Sequence, residues 1–244
     1  SSDVRDFFVD AAKKHREGAP LTPLETIAAD WIALHPEYAA DLADRDAARA
    51  AVHDGSGGRE NPFLHLSMHL SISEQVQIDQ PHGIRAAHDA LVALLRERSV
   101  RFGDFILASG ARSTYYIDCR LTTMSAQGQA LIGPLALRAI RAAGWAPSSV
   151  GGLTMGADPV SYAIARASID HEPVLDAFSV RKAAKEHGTG RKIEGNFAAG
   201  DAVVVIEDVI TSGGSALTAI ESVREAGGTV IGVLAVVDRE AGGR

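Results

Sequence analysis

One stretch constrains this chain more than any other: "AVVVIEDVITSGGSALTAI", from Ala202 to Ile220. Five apolar residues, three of them consecutive valines, run straight into two adjacent carboxylates, Glu207 and Asp208. A continuous β-branched run without polar interruption is what a strand covered on both faces requires. Such strands occur in parallel sheets flanked by helices, where ligands bind beyond the carboxyl ends of the strands. The two acids therefore arrive where a ligand would sit. Thr211, Ser212, Gly213, Gly214 and Ser215 follow, a small and flexible set able to turn several backbone N–H groups toward one point. The helix expected behind them adds a dipole that favours an anion.

A phosphate beside two carboxylates is repelled unless the acids hold something else, hydroxyls or a metal. A ribose 5-phosphate meets both demands, with its diol on the acids and its phosphate on the amides. The two common nucleotide loops are absent: no G-x-x-x-x-G-K-[ST] occurs, and no G-x-G-x-x-G opens a helix here.

The rest of the chain reads in two textures. Up to about Ser99 it is helical. "VRDFFVDAAKKHREG" stops at Gly18, and "LTPLETIAADWIALHP" carries Thr22 as N-cap, Pro23 in the first turn and Glu25 three past the cap. A third helix is expected from Pro36 to about His53. Asn61 caps a fourth, and a fifth spans about Ile84–Ser99. After Val100, "GDFILASGARSTYYIDCR" alternates like a β-hairpin, and short apolar runs then alternate with helices. The expected fold class is α/β: a parallel sheet flanked by helices, preceded by an all-helical domain, with domains at 1–83 and 84–244.

Charge follows the same division. The net charge of −7 lies wholly in residues 1–83, which hold 7 Lys/Arg against 14 Asp/Glu, while the remainder balances at 17 and 17. No basic stripe is present, so nucleic acid is not an expected partner. No apolar run is long enough for a membrane span, "SSDVRDFFVD" does not resemble a secretory signal, and Cys119 is the single cysteine. A cytoplasmic location is expected.

The acidic pair followed by "VITSGGS" resembles the phosphoribosyl-diphosphate motif of type I phosphoribosyltransferases. "RKAAKEHG" resembles the catalytic loop of orotate phosphoribosyltransferases, "FGDFILASGARSTYYIDCR" their substrate-binding segment, and "VVDRE" their strand-end arginine. The resemblance covers about Ile84–Arg244. It implies a Mg²⁺-dependent transfer from phosphoribosyl diphosphate to orotate, in pyrimidine biosynthesis. It also implies the site residues. Lys185, His187 and Asp208 would be catalytic. Arg181, Lys182, Lys185, His187, Glu207, Asp208, Val209, Ile210 and Thr211 to Ser215 would bind phosphoribosyl diphosphate. Tyr116, Ile117, Thr211 and Arg239 would bind orotate. A homodimer sharing the loop 181–191 between subunits is implied as well.

Departures from the family pattern keep two rival readings open, a non-catalytic regulator that binds phosphoribosyl diphosphate and a transferase for another base. Ala108 and Met155 stand where many members carry lysine. The family continues past the point where this chain stops, so an incomplete C-terminus is expected. Residues 1–83 resemble a small bacterial helical domain of unknown function. His65 and His69, four apart on one helix face, could chelate a metal with help from Glu74, His82 or His88. Their apolar neighbours argue for packing instead, and no protein-ligated metal is expected.

Overall fold

Helix α1 (Ser2–Glu17) packs Phe8, Val9, Ala11 and Ala12 inward. This computed structural model describes residues 2–51, 61–79, 82–106, 112–182 and 192–239. Helix α2 (Pro23–Leu34) starts as its sequence dictates. Thr22 accepts from the Glu25 amide, and the Glu25 carboxylate accepts from the Thr22 amide at 2.8 Å. Lys14 lies 2.7 Å from Glu25, and together these contacts hold the Glu25 carboxyl down to about 2. The expected third helix is two pieces: a single 3₁₀ turn at Pro36–Tyr38 and helix α3 (Arg45–Ala50). Asp44 explains the break, because its side chain caps α3 by accepting from Ala47. Helix α4 (Pro62–Ile78) is capped by Asn61, whose Oδ1 accepts from Phe63 and Leu64. Helix α5 spans Ile84–Arg98.

The chain divides into two units, Ser1–Arg85 and Ala86–Arg244. The first has its own core, in which Phe8, Leu42, Phe63 and Leu66 are buried.

In the second unit β1 (Val100–Ile106) and β2 (Arg112–Ile117) pair antiparallel, and the turn between them lies outside the described residues. Short helix α6 (Arg120–Thr123), which the periodicity does not announce, leads to α7 (Ala126–Ala142), capped by Ser125. Then follow β3 (Ser149–Leu153), α8 (Ala157–Ser168), β4 (Asp176–Val180), β5 (Ile193–Gly195), β6 (Ala202–Ile210), α9 (Gly214–Glu225) and β7 (Thr229–Asp238). The sheet order is β5-β4-β3-β6-β7. All pairings are parallel except that of edge strand β5, which is antiparallel to β4. Three residues are too few for β5 to show a period.

β6 is covered on both sides, which explains its unbroken apolar run. Val204 and Ile206 pack with Ile132, Ile140, Val160 and Ile164 of α7 and α8. Val203 and Val205 pack with Ala219 and Val223 of α9. Each such buried side chain stabilises by roughly 1.5–3 kcal/mol relative to exposure. Two glycines let the neighbours close in. A Cβ on Gly151 would stand 2.2 Å from the Phe178 carbonyl oxygen, and one on Gly152 would stand 2.1 Å from that of Ile206.

Candidate active site

β6 pairs with β3 over Val203–Val205 but with β7 from Ala202 to Ile210. β3 has therefore parted from β6 by the time the acids are reached, and a crevice opens there. The strand continues four residues beyond the apolar run, so Glu207 and Asp208 lie inside β6 rather than at its tip. By the alternation of strand side chains, Glu207 extends the Val203–Val205 row and Asp208 the Val204–Ile206 row. Both are nearly buried, at 6% and 8% exposure. Burial pushes the Glu207 carboxyl up to about 7, with the Asp208 charge adding to it. Asp208 is also raised by burial, opposed by the Val209 amide that donates to its Oδ1 at 2.9 Å.

These acids line a cavity of about 530 Å³ shared with Tyr116, Ile117, Lys182, Val209 and Ser215. Glu207, Asp208, Val209, Ser215, Tyr116, Ile117 and Lys182 are thus brought together as the motifs suggest. Ile210 and Thr211 to Gly214 do not line the cavity wall; Thr211 to Gly213 form the turn that enters α9 beside Ser215. Gly213 caps α9 with φ +74° and no side-chain bond, so the first-turn amides are served by no capping side chain. That left-handed backbone is the reason glycine stands at this position.

Arg181 is not among the lining residues. Its Nε donates to Glu194 of β5 at 3.1 Å, and its own amide bonds the Lys192 carbonyl. Arg239 also lies off the wall. Its guanidinium sits 4.9 Å over the ring of Tyr115, not Tyr116, and its buried Nε has no hydrogen-bond partner among the described residues. An unpaired buried donor of this kind is costly and suits an acceptor brought by a ligand. Lys185, His187 and Ala108 lie outside the described residues.

Several lining residues escaped the motif reading: Asp118, Cys119, Arg120, Thr154 and Gly156, with Met155 noted only as a departure. The "DCR" that closes the hairpin segment was the available signal. Arg120 donates to Asp118 from Nε at 2.8 Å and from a terminal nitrogen at 2.9 Å, which holds the Asp118 carboxyl below its ordinary value. Burial, then the charges of Asp208 and Asp118, push the Cys119 thiol up to about 12. It is a protonated filler rather than a nucleophile. Gly156 is tight against the acids: a Cβ would stand 2.5 Å from Asp208 Oδ1. Thr154 and Ser179 both donate to Asp158, at 2.6 and 2.7 Å, fixing the loop that leads into α8.

The family model described as "Domain of unknown function (DUF1841)" matches residues 1–101. The remainder is similar to orotate phosphoribosyltransferases. That of Rhodopirellula baltica is 44% identical over 157 residues, 63% of this chain and 81% of that protein. That of Aquifex aeolicus is 45% identical over 159 residues, 64% of this chain and 86% of that protein. Among solved structures, Mycobacterium tuberculosis H37Rv orotate phosphoribosyltransferase in complex with Fe(III) dicitrate matches with TM-score 0.57 and 46% identity. It covers 64% of this chain and 87% of that one. The same enzyme in complex with 5-phospho-alpha-D-ribosyl 1-diphosphate matches with TM-score 0.51 and 39% identity, over 65% and 80% of the two chains.

Proposed function

The chain belongs to the orotate phosphoribosyltransferase family, and on that premise we propose that it transfers the phosphoribosyl group of phosphoribosyl diphosphate to orotate. The products are orotidine 5′-monophosphate and pyrophosphate, a step of pyrimidine nucleotide synthesis. The observation that carries the chemistry is one cavity lined both by two nearly buried carboxylates and by Ser215, at the start of a helix without a side-chain cap. A cytoplasmic location is part of the proposal; no described helix is long and apolar enough to cross a membrane.

In this reading Glu207 and Asp208 accept from the ribose 2′- and 3′-hydroxyls, and the amides from Thr211 to Ser215 hold the 5′-phosphate. As the C1–diphosphate bond breaks, the ring gains positive charge and the leaving group negative charge. Preorganised groups of each sign lower that barrier. The buried acids face the ring. Arg181, Lys182, Lys185 and His187 form the basic segment that meets the diphosphate, and Arg181 exchanges its Glu194 contact for it. Arg239, with an unsatisfied Nε, pairs with orotate beside Tyr116 and Ile117.

The acids fit Mg²⁺: they are hard oxygen donors, and burial leaves the pair in need of cations or hydroxyl donors. Glu207 and Asp208 would face the ion, which when bound neutralises diphosphate charge. A homodimer sharing the loop 181–191 is part of the proposal. Phe102 at 84% exposure and Ile106 at 77% offer apolar surface for it on β1.

Mixing the chain with Mg²⁺, phosphoribosyl diphosphate and orotate and following orotate's ultraviolet absorbance tests the reading. Loss of orotate, with no reaction of adenine or hypoxanthine, is the expected result. Tight binding of phosphoribosyl diphosphate without turnover would instead favour a regulator, the reading that Met155 in the cavity wall supports.

A further inference from the structure

Three histidines of the first unit converge. His65 and His69 lie one turn apart on α4, so their rings share a face. His35 follows the last residue of α2, where Pro36 ends the helix, and packing between α2 and α4 brings it to the same place. His65 Nε2 and His69 Nε2 are 2.7 Å apart. One ring nitrogen from each of the three lies within 4.8 Å of the others. The ring centroid of His35 is 4.8 Å from that of His65 and 5.4 Å from that of His69.

Stacking and the His65–His69 hydrogen bond hold these rings together, and the same placement gathers three imidazole nitrogens where one cation could meet them. An imidazole brings a lone pair and an N–H, or two N–H groups when charged, and three rings crowd them into one spot. A cation that accepts lone pairs resolves the crowding. The surroundings are built like a ligand's outer shell. Glu37 Oε1 lies 2.9 Å from His35 Nδ1, a contact that favours the tautomer with its proton on Nδ1 and its lone pair on Nε2. Trp31 stacks on His69 with centroids 3.9 Å apart and is itself fixed by donating from Nε1 to Ser73 at 2.7 Å. Tyr38 stacks on His35 at 5.3 Å.

We propose that His35, His65 and His69 form a binding site for a divalent transition-metal ion, with zinc as the fitting choice. Neutral imidazole nitrogens suit zinc and its neighbours, whereas Mg²⁺ and Ca²⁺ want oxygen ligands. Three histidines leave a fourth tetrahedral position for water or an incoming ligand. Zn–N bonds of about 2.0–2.1 Å at tetrahedral angles put the nitrogens roughly 3.3 Å apart, so the rings of His65 and His69 must part by about half an ångström. Small side-chain rotations on α4 supply that, and a rotation of His35 closes the remaining separation, which is at most 4.8 Å. The site does not depend on the phosphoribosyl transfer assigned to the second unit.

Titration of the full, chelator-stripped chain with Zn²⁺ alone tests the site, with Co²⁺ as spectroscopic reporter. The expected result is one zinc per chain, and visible cobalt bands that zinc abolishes. His65→Gln and His69→Gln should each weaken zinc binding by at least about 100-fold. Glu37→Gln, through the lost outer-shell contact, should weaken it about 10–100-fold. His82→Gln, altering an almost fully exposed side chain, should change nothing. Absence of zinc from the wild-type chain, or wild-type affinity in both His65→Gln and His69→Gln, overturns the proposal. If either glutamine variant loses its helical circular dichroism, Glu37→Gln decides, since that side chain is 51% exposed; unchanged affinity there overturns the site.

Discussion

Glu207 illustrates how burial writes a pH dependence into one residue. An unfolded glutamate ionises near 4.5, and the folded environment raises this to about 7. Between those values the native state holds the proton more tightly, so the stabilisation is full at low pH. It is lost as the pH climbs from about 4.5 through about 7. Glu207→Gln removes the loss. Urea unfolding at about pH 5 and about pH 8 should show a pH effect smaller by on the order of 2 kcal/mol in the variant. Identical pH dependence in the two proteins would place the shifted proton elsewhere. Asp208 is constrained sterically instead. Gly156→Ala would set a Cβ 2.5 Å from Asp208 Oδ1. Overpacking of that kind costs about 1–3 kcal/mol. The displaced carboxylate should raise the KM for phosphoribosyl diphosphate, and wild-type kinetics would show that its position is unimportant.

At the scale of elements, boundaries are set by short-range bonds. α2 begins at a reciprocal pair, with the Thr22 side chain on the Glu25 amide and the Glu25 side chain on the Thr22 amide. Thr22→Ala should lower the stability of the helical unit by about 1 kcal/mol, read as a shift in its denaturation midpoint. No shift would mean that tertiary packing alone holds the start of α2. α9 begins differently, at a left-handed glycine without a side-chain cap. One helix start closes on itself, while the other has no side-chain cap.

For the whole molecule, the two units carry separate cores, one of helices alone and one on either side of the sheet. The proposed dimer makes a prediction of its own. Lys185→Ala and Asp208→Asn should each be nearly inactive alone, the first by ~10²–10³ in kcat if Lys185 meets the developing charge. If the loop serves the partner's site, co-refolded mixtures contain hybrids with one site intact in both respects. Random pairing of the two variants then restores roughly a quarter of wild-type activity. Mixtures as inactive as their parents would confine the loop to its own subunit.

What the sequence determined by itself was local. The β-branched run, the acidic pair, the hydroxyl-and-glycine turn and the caps at Thr22 and Asn61 are patterns within a few residues. Hydrogen bonds of short sequence separation enforce the caps, and the β-branched residues carry their own preference for extended backbone. The stop at Asp44, the single turn of α6 and the three residues of β5 escaped because elements that short carry almost no period. Tertiary structure decided the rest. Only the parting of β3 from β6 makes the acids a cavity wall, and burial there, with the charge of Asp208, raises Glu207. Asp118, Arg120 and Gly156 join that wall, and His35 meets His65 and His69, through packing between segments remote in sequence. Spacing along a chain is silent about contacts that arise when separate elements bury their apolar faces against each other.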